Sequence, residues 1–277
     1  QLIMKKLSIL VGLFLSTGSV FSQNPLTPVL STNIVPINDF FGFNGQNTNE
    51  TGFGYDNPAV VNSLSLVHAS TLRFPGGTVA NYWDWKNGNY IEPISPATGC
   101  FGLPSDFGST FPQNNNTLAN FKNALNKTSA KPIWTLNLLT DDLASQLSML
   151  SEAKCLGLPV EYIELGNEFY LNNDCYEEKF PYVVTYGEFI KDWIPEIRNR
   201  FPNVHIACVG TTTYDDAPER RLNWNSKLRN YFATLPTNER PDAFTLHDYK
   251  PSGLGINNCS AINFGQPKCN SGNYYTY

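Results

Sequence analysis

The segment WTLNLLTDDLASQLSMLSEAKCLGLPVEYIELGNE, residues 134–168, carries the pattern from which the fold can be read. It continues an apolar run, KPIWTLNLLT (131–140), that reads as a strand. Leu143, Leu147 and Leu150 then recur at helical spacing. Thr140, Asp141 and Asp142 supply a helix start, and Gly157 with Pro159 supplies its stop. A second apolar run, VEYIELGNE (160–168), closes the segment. Strand, helix, strand at this length is one unit of a parallel sheet covered by a helix.

The same alternation extends in both directions. FFGFNG (40–45) and TLRFPGG (71–77) come before it, VHIACVG (204–210) and DAFTLHDYK (242–250) after it. Tyr186, Phe189, Ile190, Trp193 and Ile197 form an apolar helical face with an expected kink at Pro195. Strands near residues 40, 71, 131, 160, 204 and 242, separated by helices, specify an α/β architecture. A dinucleotide-binding sheet would carry a Gly-x-Gly-x-x-Gly turn after its first strand, and this sequence has none. Polar residues gather instead at the C-terminal ends of many strands: Asn44, Arg73, Asn137, Asn167, Glu168, His247 and Tyr249. That distribution predicts a (β/α)8 TIM barrel. Six strands are two short of closure, so the expectation is a barrel truncated after about six strands, with strands seven and eight missing. A fragment with bare edges at strands one and six is expected to be unstable and inactive by itself.

Composition narrows the function. The chain has 277 residues, 41% hydrophobic and 13% aromatic, with only 16% charged and a net charge of −5. An acidic chain without Lys/Arg runs predicts no nucleic-acid partner. MKKLSILVGLFLSTGSVFSQ begins at Met4 with two lysines, an apolar core and small residues. This is the layout of a secretory signal over residues 4–22, too short to span a membrane. The mature chain, 23–277, is then expected to be a partial barrel domain, secreted or at the cell surface. Export permits disulfides among the six cysteines, with Cys259 and Cys269 close enough in one loop to pair and Cys208 placed as a buried thiol. Three histidines and no Cys-x-x-Cys or His-x-His spacing argue for no metal, and nothing calls for a cofactor.

Glu168 is the residue most suited to chemistry. At a strand end, beside Phe169 and Tyr170, its carboxyl would sit in apolar surroundings that favour the neutral form, as a general acid requires. Asn167 can hold a hydroxyl next to the reacting bond, and Gly166 removes a side chain where backbone or substrate must come close. A proton donor beside a sugar-hydroxyl ligand is what glycoside hydrolysis needs.

These residues resemble those of clan GH-A, the retaining (β/α)8 glycosidases, in which an Asn-Glu pair ends strand four. Residues 134–168 look like the heparanase and β-glucuronidase family. LRFPGGTVANYWDWKNG (72–88) looks closer to the α-L-arabinofuranosidase family, and TLHDYK (245–250) is similar to the His-x-Tyr end of strand six in both. The resemblance implies a secreted retaining glycoside hydrolase acting on a polysaccharide or oligosaccharide. It implies Glu168 as acid/base, Asn167 and Asn137 as substrate ligands, and His247 and Tyr249 lining the mouth. It places Arg73 beneath the site, where an ion pair with Glu164 and a direct role both stand open. Trp83 could stack against substrate or pack in the core. The clan's nucleophile ends strand seven and is absent from these residues. A non-catalytic carbohydrate-binding or surface protein that keeps a barrel remnant is the alternative.

Overall fold

The structure is a computed structural model that describes residues 42–45, 54–91, 116–212, 219–247, 250–251 and 275–276, all within one unit spanning Asn38–Tyr277. The signal segment, Asp248, Tyr249 and three of the cysteines (Cys100, Cys259 and Cys269) lie outside the described residues.

Six parallel strands run in sheet order exactly as they run in sequence: β1 (Gly42–Asn44), β2 (Thr71–Phe74), β3 (Lys131–Thr135), β4 (Tyr162–Leu165), β5 (His205–Val209) and β6 (Ala243–Thr245). Each crossover carries a helix: α1 (Pro58–Leu66), α2 (Leu118–Leu125), α3 (Leu143–Cys155), α4 (Asp174–Lys179) with α5 (Val183–Arg200), and α6 (Trp224–Ala233). Consecutive parallel neighbours joined by helices are the repeat of a (β/α)8 barrel, here seen over six strands. All six expected strands are present.

Alternation along the strands separates two chemistries. Phe74, Trp134, Ile163 and Leu165 are buried and belong to the apolar core. Phe74 stacks on Phe121 of α2 with ring centroids 4.0 Å apart, and the Trp134 indole meets both rings edge-on. The alternate positions Arg73, Thr135 and Glu164 bond to one another on the opposite face.

The crossover in residues 134–168 forms for the reasons its sequence suggests, with one difference. Asp142 caps α3 by accepting from the Ser145 backbone N–H at 2.8 Å, and Gly157 ends it in the left-handed region at φ 81°. The buried face, however, is Gln146, Met149, Leu150 and Ala153, whereas Leu143 and Leu147 are only partly buried. Gln146 turns the stripe because its amide is bound: it accepts from the Asn137 N–H and donates to Asp141. A polar residue with both ends satisfied can be buried where an apolar one was expected.

Helix α5 is tied to the sheet by one side chain. The fully buried Tyr186 donates to the Leu165 carbonyl at 2.7 Å and accepts from the Val209 N–H at 2.9 Å, bridging the ends of β4 and β5. Burial pushes its phenol far above the ordinary tyrosine range. Cys208 on β5 is a buried free thiol, and burial likewise raises its ionisation well above normal. Tyr186→Phe is expected to lower the unfolding free energy by about 1–3 kcal/mol, because it removes a buried donor and acceptor together. Urea titration measures this, and an unchanged midpoint would mean the two strand ends do not depend on the bridge.

Candidate active site

The C-terminal ends of β1, β2, β4 and β6 bring their polar side chains into one connected group. Arg73 is its hub. Its Nε donates to Glu164 Oε2 at 2.6 Å, its Nη1 to Asn44 Oδ1 at 3.1 Å and its Nη2 to Asn167 Oδ1 at 2.9 Å. Thr135 adds a longer contact to Glu164 Oε2 at 3.5 Å. The Arg73 and Glu164 side chains are only 12% and 9% exposed, so this pair is largely removed from solvent. The two readings left open for Arg73 are thus partly combined: it forms the ion pair with Glu164 and also fixes the orientation of Asn167.

Beyond β4 the backbone turns sharply. Gly166 sits at φ 90° and Glu168 at φ 51°. A Cβ on Gly166 would lie 2.1 Å from the Phe169 ring, so glycine is needed here on two grounds. Between these two residues, Asn81 grips the backbone of Asn167. Its Nδ2 donates to the Asn167 carbonyl at 2.8 Å and its Oδ1 accepts from the Asn167 N–H at 3.0 Å. The same Nδ2 reaches the Tyr176 hydroxyl at 3.0 Å. A side-chain amide here continues the pairing that a strand neighbour would otherwise provide. Burial, with a smaller push from Glu168, raises the Tyr176 phenol above its ordinary range, although the Asn81 bond acts against this.

Glu168 is buried, with its carboxyl held rather than free in solvent. Oε1 lies 2.9 Å from His247 Nδ1 and accepts from the Tyr170 hydroxyl at 3.0 Å, while Oε2 lies 3.4 Å from Asn167 Nδ2. His247 reaches it from the end of β6, and its carbonyl accepts from the Thr212 hydroxyl at 2.9 Å. The expectation of apolar surroundings therefore needs correction. Phe169 turns into an aromatic cluster with Tyr176, Phe180 and Tyr186, and Tyr170 presents its hydroxyl rather than its ring face to the carboxylate.

Two other candidates sit elsewhere than expected. Asn137 is fully buried at the end of β3, where its Oδ1 accepts from the Leu139 and Thr140 N–H groups and its Nδ2 donates to Thr140 Oγ1 and the Trp83 carbonyl. Its amide shapes the loop after β3 instead of facing outward. Trp83 is also fully buried, with its indole N–H donating to the Asn116 carbonyl and its ring edge-on to Phe74. It is a core residue and offers no face for stacking. Asn81 and Tyr170 were missed: one lies in a short 3-10 turn with no periodic signal, and the other reads as apolar by composition. Among the described residues, no group of three or more His, Cys, Asp or Glu side chains gathers as a metal site would require.

No protein-family model matches the chain, and no curated protein matches it by sequence. Solved structures do match. A family 51 α-L-arabinofuranosidase from Bifidobacterium longum superposes with a TM-score of 0.53 at 13% identity, over 74% of this chain and 41% of its own. The α-L-arabinofuranosidase of Thermotoga petrophila gives 0.48 at 19% identity, over 69% and 39%. That of Thermotoga maritima gives 0.48 at 18%, again over 69% and 39%. The chain thus spans about two-fifths of the length of these structures. The likeness to the Bifidobacterium enzyme is one of fold, and it agrees with the strand order described above: the chain has a parallel (β/α) barrel architecture.

If the Arg73–Glu164 pair is desolvated as its exposure indicates, Arg73→Met leaves a buried carboxylate uncompensated and is expected to cost about 3–5 kcal/mol. The double change Arg73→Met with Glu164→Leu is expected to recover much of that. A single-variant loss below about 1 kcal/mol in denaturant unfolding would show that water still reaches the pair.

Proposed function

We propose that this chain is the strand-four half of a retaining glycoside hydrolase site, with Glu168 as general acid/base. The observation that carries this reading is the meeting of Glu168 and His247, 2.9 Å apart, from strand ends two places away in the sheet. A carboxyl at a barrel mouth, buried and gripped by a histidine, can give up a proton to a departing glycosidic oxygen and take one back from water. Asn167, oriented by Arg73 and Asn81, lies beside it with its amide nitrogen on the side of Oε2, where a sugar hydroxyl can be bound.

Retaining hydrolysis also needs a nucleophilic carboxylate about 5–5.5 Å from the acid/base. Glu164 does not suit that task, since Arg73 holds its oxygen in a short ion pair. We assign the nucleophile to a residue outside the described ones, and the acid/base step alone to this part of the chain. A secreted location and a polysaccharide or oligosaccharide substrate belong to the same proposal.

Of the two cations that could hold a uronate, Arg73 and Lys250, the state of Arg73 supports a choice of sugar. A glucuronide would need a cation to hold its carboxylate, and each of the three nitrogens of Arg73 already donates to a protein oxygen. An uncharged sugar such as an arabinofuranoside suits an amide-rich site better. In the full-length chain, turnover of aryl arabinofuranosides is expected to exceed that of aryl glucuronides by at least about tenfold, and the reverse ranking in a side-by-side kcat/KM assay would overturn this choice of substrate.

The central test is Glu168→Gln in the full-length chain. Turnover of a substrate with a poor leaving group is expected to fall about 10²–10⁴-fold, with a smaller loss for an activated aryl leaving group that departs without a proton. Undiminished turnover on the poor leaving group would remove Glu168 from the mechanism. Sugar binding without turnover in the parent chain would favour the non-catalytic binding protein instead.

A further inference from the structure

Resting on the assignment of Glu168 as acid/base, we propose that Tyr170 is a positioning residue that, with His247, holds Oε1 of Glu168 and so turns Oε2 toward Asn167. Two contacts meet on one atom of Glu168. Tyr170 donates to Oε1 at 3.0 Å, and His247 Nδ1 lies 2.9 Å from the same oxygen. A carboxyl oxygen that accepts from a hydroxyl and meets a histidine nitrogen is held in one orientation, which sets the direction of the other oxygen. That oxygen, Oε2, lies on the Asn167 side.

Tyr170 is held for this task from outside. It is buried to 1% exposure, its ring meets Trp224 edge-on at 6.3 Å, and the Arg221 guanidinium lies 5.1 Å above it. A cation over the ring withdraws electron density and makes the phenol a stronger donor. Arg221 also donates to Thr211 Oγ1 at 3.0 Å and the Thr212 carbonyl at 3.2 Å, and the Thr212 hydroxyl donates to the His247 carbonyl at 2.9 Å. One arginine thus supports both residues that meet Oε1. Arg220, the neighbouring residue, donates to the Phe169 carbonyl at 2.9 Å and stacks over Trp224, holding the turn that carries Tyr170. Burial lowers its basicity, consistent with this inward position.

Among the described residues, the charged and titratable groups around Glu168 are His247 from the β6 end, Tyr170 on its own turn, Tyr176 from α4, Arg73 acting through Asn167, and Arg221 behind Tyr170. Of these, Tyr170 contributes a hydrogen bond that is stronger to the carboxylate than to the acid. Deleting it must therefore raise the pH at which Glu168 ionises.

The experiment is a carbon-13 NMR titration of glutamate-labelled chain, with the Glu168 carboxyl assigned by its loss in Glu168→Gln. Tyr170→Phe keeps the ring against Trp224 and is expected to raise the Glu168 midpoint by about one pH unit. The melting temperature should fall modestly with the lost hydrogen bond, and the rise in the midpoint is the readout that a merely structural role would not produce. Should that variant fail to fold, Tyr170→Leu is expected to give the same upward shift. A midpoint that does not rise in the folded variant overturns the proposal. Because the titration reads the carboxyl directly, it stands apart from turnover. Full activity in Glu168→Gln defeats the glycosidase reading, whereas a loss there with an unmoved midpoint in Tyr170→Phe defeats only this inference. In the active full-length chain, the alkaline limb of kcat/KM should move upward together with the midpoint.

Discussion

A guanidinium on the inner face of the sheet must be neutralised, and Arg73 meets that demand in a way that organises the barrel mouth. Its fork is satisfied by one carboxylate and two amides from three other positions, Glu164, Asn44 and Asn167. A buried ion pair of this kind is weak evidence for stability, since desolvation offsets most of the attraction. Its value here lies in geometry. Because the planar fork accepts partners only in set directions, β1, β2 and β4 are held in register at the end where Glu168 emerges.

The turn after β4 departs from relaxed backbone at that same place. Glycine at 166 bears its left-handed conformation at little cost, but Glu168 at φ 51° carries about 1–2 kcal/mol of strain. The strain persists because the surroundings over-determine the turn: Asn81 clamps Asn167 on both sides, the Phe169 ring fills the space next to Gly166, and Tyr186 secures the Leu165 carbonyl. The outcome is a carboxylate aimed across the sheet toward His247 instead of along the strand. In the proposed acid/base role, preorganisation of this sort would hold the side chain ready for proton transfer before any substrate arrives.

Legibility in the sequence followed the range of the interactions. The six strands, the capped helix before β4 and the glycine turns could be read because each depends on neighbours within a few positions: Asp142 caps Ser145, and Gly157 ends the helix it follows. The strand-end rule likewise located Arg73, Asn167, Glu168 and His247 at the mouth. It failed to distinguish Asn137 and Trp83, which occupy similar positions along the chain but are consumed by the loop after β3 and by the aromatic core. Tyr170 shows the limit most clearly, since the type of residue predicted an apolar neighbour and the structure made it a hydrogen-bond donor.

Periodicity and turn chemistry alone therefore determined the architecture and the address of the carboxylate, for local backbone preference and the burial of apolar stripes do not need to know what lies across the sheet. Only the tertiary structure decided which oxygen, nitrogen and ring surround that carboxylate. His247 comes from far along the chain, and the neighbouring Asn167 and Tyr170 are themselves oriented by the equally distant residues 73, 81 and 221; a hydrogen bond is set by ångström distances that no spacing in one dimension records.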